Sequence, residues 1–231
     1  MDLKVFKTKR KAEMIAELIL SLLIAETGFI MLTRTGIPEF LALGFIGTGI
    51  YFAAETLVHD ELQLARIHIY IDMDGCIARW AKALADELET KEFYESREME
   101  KNLIEAVKIL QRAGFHVTIL TAYINEAAKE GKKNWLKEAG LDTVPVIFVP
   151  YGEDKSRYVK KKRGWILVLV DDFSKNLHKW EAAGFVGVKF RTPLPNGTKG
   201  TWTKKEATVY YYQRPEKIAE TIVMTGLKRA V

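Results

Sequence analysis

Two long apolar stretches come first along the chain, and a series of short ones follows. The first runs from about Met14 to Leu32 and the second from about Ile37 to Val58. Each approaches the roughly 20 residues a helix needs to cross a bilayer. Thr33, Arg34, Thr35 and Gly36 separate them, a connection short enough for a helical hairpin. Gly44, Gly47 and Gly49 give the second stretch a small-residue face that another helix can approach closely. Glu17, Glu26, Glu39 and Glu55 interrupt the pattern. An acidic residue at a bilayer centre costs on the order of 2.5–3.5 kcal/mol on insertion scales, and only Glu26 stands far from an end. Residues 1–62 are therefore expected to form a transmembrane hairpin, with a soluble pair of packed helices as the alternative reading. The basic residues Lys4, Lys7, Lys9, Arg10 and Lys11 stay in the cytoplasm by the positive-inside rule, and a hairpin returns the chain to that side. The expected location of the remainder, residues 63–231, is thus the cytoplasmic face of a membrane, or otherwise the cytoplasm.

From Arg66 the periodicity changes. Short β-rich runs at Ile67 to Ile71, His116 to Leu120, Val144 to Val149, Trp165 to Val170 and Val186 to Phe190 alternate with longer segments of helical spacing. Those segments are Trp80 to Leu88, Lys101 to Ala113, Glu126 to Ala139 and Lys175 to Ala183, and Gly114 and Gly140 stand where a helix would stop. Strands alternating with helices in this way predict an α/β fold, a parallel sheet with helices on both faces.

Composition narrows the partners without choosing one. The apolar fraction of 48% fills a core, and 231 residues suffice for one α/β domain plus an appendage. The formal charge of +5 favours acidic partners such as phosphate esters, nucleotides or anionic lipid. Cys76 is the single cysteine, which excludes an internal disulfide or a cysteine-rich zinc site and suits a reducing compartment.

Ligands of parallel sheets bind at the carboxyl ends of the strands, so the polar residues after each apolar run are the candidates. They are Asp72-Met73-Asp74-Gly75 after the first run, Thr121 after the second, a loop with Lys155 after the third, and Asp171-Asp172 after the fourth. Two carboxylates, a hydroxyl, a cation and a further carboxylate pair at one sheet edge are groups useful for phosphoryl transfer. A calcium loop fits poorly, because the turn glycine would have to stand at Ile77. Asp171-Asp172 alone would read as a helix cap, and Lys160, Lys161 and Lys162 are alternatives to Lys155.

In order and spacing, the runs DMDGCIARW, ILTAY, the lysine loop and LVDDFSKN resemble the haloacid dehalogenase (HAD) superfamily of phosphatases. Within it they look most like the 5′(3′)-deoxyribonucleotidase-type branch, over roughly Arg66 to Thr203. The resemblance implies a three-layer α/β/α Rossmannoid fold and hydrolysis of a phosphomonoester through an aspartyl-phosphate. It implies Asp72 as nucleophile and Asp74 as acid and base, with a pKa raised by its surroundings. It implies Mg2+ held by Asp72, Asp74, Asp171 and Asp172, and phosphate held by Gly75, Thr121, Ala122 and Lys155. It also implies a nucleoside monophosphate substrate, with Trp80 and Arg79 near the base pocket, although Trp80 reads equally well as a core residue. Arg79 stands where the branch has an acidic residue. The insert after the first motif is short, so a small helical cap is expected around residues 81–99. The glycine-rich run from Asn196 to Trp202 either borders the site or forms an ordinary turn. Hydrolysis of another phosphate ester, such as a polynucleotide end or a sugar phosphate, and an inactive membrane-anchored binding protein are the alternatives.

Overall fold

The computed structural model describes residues 16, 19–25, 27, 46, 48–50, 66–192 and 200–228. The chain divides into two compact units, Met1–Ala65 and Arg66–Val231. In the first, residues 19–25 and 48–50 are helical. A Cβ on Gly49 would lie 2.4 Å from the Ser21 carbonyl oxygen and 2.9 Å from the Ala25 nitrogen, so these two helical segments touch backbone to backbone. Ile19, Leu20, Leu22 and Leu23 are exposed. Among the described residues no helix is long and apolar enough to cross a membrane. The greater part of the two apolar stretches, with Gly44 and Gly47, lies outside the described residues.

The second unit is built on six parallel strands in the order β3-β2-β1-β4-β5-β6. These are β1 (Ile67–Ile71), β2 (His116–Tyr123), β3 (Val146–Pro150), β4 (Ile166–Asp171), β5 (Val186–Arg191) and β6 (Thr208–Tyr210). The central strands are covered on both faces and accordingly read as unbroken apolar runs, Ile-Leu-Val-Leu-Val in β4. The helices are α1 (Lys91–Glu95), α2 (Lys101–Arg112), α3 (Glu126–Glu138), α4 (Ser174–Ala182) and α5 (Pro215–Leu227). Helix α2 buries Leu103, Ile104, Ala106, Val107 and Leu110 and packs against α5. On the opposite face Tyr70, Leu167 and Leu169 meet Leu177 and Trp180 of α4 in an apolar cluster that Trp202 joins. Trp202 is thus a core residue and does not border the site, while residues 193–199 lie outside the described ones. The Asn125 side chain caps α3 by accepting from Ala128 N at 2.8 Å, and Pro215 opens α5.

The expected helix from Trp80 to Leu88 does not form. Ala78 bridges Met99, and Arg79 N donates to Glu98 O at 2.8 Å, which holds the chain extended as it leaves the first motif. Helical structure resumes only in a single 3-10 turn at Glu87–Glu89 and in α1. Residues between the two bridge partners make up the segment expected as the small cap. Its helix α1 rests on α3, where a Cβ on Gly131 would lie 2.4 Å from Lys91 O. Asn125 Nδ2 donating to Glu89 O at 2.9 Å and the Lys91–Glu130 ion pair at 2.8 Å fasten it there.

Candidate active site

Chain order reverses between β1 and β4, and such a reversal opens a crevice at the carboxyl ends of the strands. Asp72 follows β1, Asp171 ends β4 and Asp172 comes next. Asp72 N donates to Val170 O at 2.9 Å, which ties the two strand ends together. The loop after β3 tightens into a 3-10 turn at Lys155–Tyr158 and buries Lys155 between two carboxylates. Its Nζ lies 2.7 Å from Asp72 Oδ1 and 2.8 Å from Asp171 Oδ2. Asp171 Oδ2 also accepts from Asn176 Nδ2 at 3.0 Å, and Oδ1 from Phe173 N at 2.7 Å. With both oxygens engaged, Asp171 anchors the lysine and the start of α4. Lys160, Lys161 and Lys162 are not needed for that place.

Asp172 faces the nucleophile candidate instead. Its carboxylate lies over Gly75, where φ is +77° and a Cβ would stand 2.2 Å from Asp172 Oδ2. Gly75 thus leaves room for the acid more than it holds an anion. Oxygens of Asp72 and Asp172 and the sulfur of Cys76 all lie within 4.8 Å of one another. Two carboxylates suit a hard divalent cation. Burial pushes the Cys76 thiol well up, so it stays protonated and is a poor ligand for such an ion. A Gly75→Ala substitution should displace Asp172 and weaken divalent-cation binding at least about 10-fold, as read by calorimetry, since a left-handed turn and a contact under 3 Å are both violated.

The electrostatics agree with a site short of positive charge. Burial, with Asp171 and Asp74 nearby, pushes the Asp72 carboxyl up to about 7 despite Lys155. Burial, then Asp171 and Asp72, raise Asp172 well above the carboxylate range. Burial works against the Lys155 ammonium too, but Asp171 and Asp72 outweigh it and hold it charged. A carboxyl whose folded pKa exceeds its unfolded one, about 3.9, stabilises the fold below that lower value and loses the contribution as pH rises through the higher. Metal-free protein should therefore lose stability between about pH 4 and pH 7 relative to an Asp72→Asn variant. About 3 pH units correspond to on the order of 4 kcal/mol. Denaturation in chelator across that range measures it, and a divalent cation should flatten the difference.

Asp74 behaves differently from expectation. Burial alone would raise its pKa, but Lys132 and Arg97 overcome it and hold the carboxyl below the usual range. Lys132 Nζ donates to Asp74 Oδ2, and Arg97 Nη1 lies 3.4 Å from Oδ1. Thr121 is fully buried within β2, two residues before that strand ends. Its hydroxyl accepts from Lys132 at 2.9 Å. It therefore sits beneath the cavity, and the strand's later residues Ala122 and Tyr123 line it.

The cavity has a volume of about 320 Å³, with Asp72, Asp74, Lys155 and Asp172 at its floor. Trp80, Tyr151 and Phe173, all exposed, and the buried Tyr94 form its walls. Trp80 is thus at the mouth and not in the core. Arg79, one residue earlier on an extended segment, turns away, pairing with Glu98 and Glu100 at 3.2 Å each, and is not among the cavity residues. Lys132, Arg97 and Asn176 were not legible as site residues. Only Lys132 carried a signal, a lysine in phase with Ala128, Trp135 and Leu136 on the buried face of α3.

No family model and no curated protein matches this chain. Distant matches exist among solved structures, and the three described next have TM-scores under 0.5. A chain of the Pnkp1/Rnl/Hen1 complex is 15% identical with a TM-score of 0.45, covering 54% of this chain and 46% of that one, so the match spans less than half of the neighbour's length. The D,D-heptose 1,7-bisphosphate phosphatase from B. bronchiseptica, complexed with magnesium and phosphate, is 16% identical with a TM-score of 0.45, covering 69% of this chain and 98% of that one. The enzyme of that name from Burkholderia thailandensis is 16% identical with a TM-score of 0.44, covering 67% and 96%.

Proposed function

We propose that the unit from Arg66 to Val231 is a magnesium-dependent phosphomonoesterase that works through an aspartyl-phosphate on Asp72. The observation that carries this reading is the placement of a buried carboxylate, Asp72, between Lys155 and Asp172 at the floor of a cavity, with Asp74 two residues on. Asp72, Asp172 and the main-chain carbonyl of Asp74 would hold magnesium, which would supply the positive charge that offsets repulsion between an anionic nucleophile and an anionic ester. Asp171 supports the site by fixing Lys155.

Catalysis by the chain's own groups then runs in two steps. An Asp72 oxygen attacks phosphorus, the bond from phosphorus to the ester oxygen breaks, and the leaving oxygen takes a proton from Asp74. Lys132 and Arg97 hold Asp74 ionised in the free site, and it takes up that proton from solvent as the anionic ester binds beside it. Water next attacks the phosphorus, gives its proton to Asp74, and the bond from phosphorus to Asp72 breaks to release phosphate. Lys155 neutralises charge on the nucleophile, and the backbone around Ala122 borders the phosphoryl oxygens.

For substrate we read (deoxy)nucleoside monophosphates, because exposed Trp80, Tyr151 and Phe173 present aromatic faces at the mouth on which a base can stack. A panel of phosphate esters with purified protein and magnesium tests both levels. Nucleotides should be hydrolysed, and Trp80→Ala should raise KM about 10-fold with little change in kcat, the loss of roughly one stacked base. Hydrolysis of sugar phosphates but not nucleotides overturns the substrate, and no turnover of any ester overturns the enzyme. The N-terminal unit is read as the membrane tether, with the exposed Ile19, Leu20, Leu22 and Leu23 in favour. Recovery of the full chain in the soluble fraction without detergent would contradict the tether.

A further inference from the structure

We infer that Lys132 is the positioning residue for the acid–base carboxylate, holding Asp74 in the orientation from which its proton reaches the leaving oxygen. The inference rests on the phosphatase reading and deepens it. Lys132 is 1% exposed, on the face of α3 that otherwise carries Ala128, Trp135 and Leu136. Burying an ammonium is costly unless every hydrogen finds a partner, and here each does. Lys132 Nζ donates to Asp74 Oδ2, to Thr121 Oγ1 at 2.9 Å and to Ala122 O. The Tyr94 ring closes over the ammonium with its centroid 5.0 Å from Nζ. No hydrogen remains for a substrate oxygen, so Lys132 acts through Asp74.

The other oxygen of Asp74 faces Arg97, whose own place is fixed from the same helix. Trp135 Nε1 of α3 donates to Arg97 O at 2.8 Å, and Arg97 Nε donates to Arg79 O at 2.7 Å. Gly131, beside Lys132, is where α1 of the cap rests. One helix therefore sets both the cap and the direction of the Asp74 carboxyl. Lys155 and Lys132, both buried, divide the work: Lys155 pairs with the nucleophile and Lys132 with the acid.

A weakly basic leaving oxygen departs without help, whereas a strongly basic one needs its proton in the transition state. Loss of orientation at Asp74 must therefore appear as a dependence on the leaving group, which a merely smaller folded fraction would not produce. The experiment measures kcat/KM for substituted phenyl phosphates, from the p-nitrophenyl to the p-methoxyphenyl ester, with wild-type, Lys132→Met and Lys132→Gln protein. Lys132→Met should steepen the dependence, losing about 10-fold more on the p-methoxyphenyl than on the p-nitrophenyl ester, a part of the 10²–10⁴ that general acids typically contribute. Lys132→Gln retains a donor and should fall between. Equal losses on all esters, or none, would overturn the role of Lys132 and leave the phosphatase standing. No hydrolysis by wild-type protein would overturn the phosphatase reading itself.

Discussion

Asp72→Asn protein is expected to fold normally and to turn over no phosphate ester, with kcat down by on the order of 10⁴-fold or more. The amide keeps the shape of the side chain and can still accept from Met73 N, as Asp72 Oδ1 does now at 2.8 Å. It cannot form an acyl phosphate. The substitution also removes one carboxylate from a buried group in which Asp72, Asp171 and Asp172 share Lys155. Because charging Asp72 is disfavoured in the fold, the variant should be at least as stable as wild type at pH 8 in chelator. Loss of activity together with unchanged or raised stability separates a chemical role from a structural one. A variant that lost both would indicate that Asp72 chiefly holds Lys155 in place.

The second large effect is expected at Lys155. Lys155→Met leaves Asp72 and Asp171 buried without the ammonium that lies within 2.8 Å of both. Removing one partner of a buried ion pair typically costs about 3–5 kcal/mol. The sign of its pH dependence follows from Asp72. As pH falls through about 7 Asp72 takes up a proton and no longer needs the cation, so the cost should be larger at pH 8 than at pH 5. Denaturant melts of metal-free protein at the two pH values measure this. Equal destabilisation at both would show that the methionine disturbs packing and that charge is not the cause. With magnesium present, activity should still fall by roughly 10²–10³-fold, the size seen when one charge-stabilising donor is removed.

The strand ends were legible because a strand buried on both faces must be apolar throughout, so the first polar residue after it marks the sheet edge. That logic located Asp72, Asp171 and Asp172 directly, and the placement of β1, β2, β4 and β5 with it. It misplaced Thr121, since β2 runs on to Tyr123 and the hydroxyl is enclosed within the strand. Helical spacing from Trp80 to Leu88 was misleading because long-range pairing of Ala78 with Met99 outweighs local preference in so short an insert. Arg79 and Trp80 show the consequence, since neighbours on an extended chain point apart and only Trp80 reaches the cavity. Lys132 was missed for a different reason. A charged residue in phase with an apolar face contradicts the pattern used to read the helix, although that contradiction marks a buried, paired cation. Arg97 carried no such mark, because its position depends on how the cap folds onto α3. The short β6 and the helix α5 that packs on α2 were also unread: three residues give too little periodicity for the first.

The most direct test of the central claim is to trap the covalent intermediate. Protein mixed with magnesium and an ester labelled in its phosphoryl group is quenched in acid within milliseconds, and the protein-bound label is located by peptide mapping. A hydroxylamine-labile phosphate on Asp72, absent from the Asp72→Asn variant, is the predicted result. Ester hydrolysis with no label on the protein, or label retained by Asp72→Asn, would contradict it.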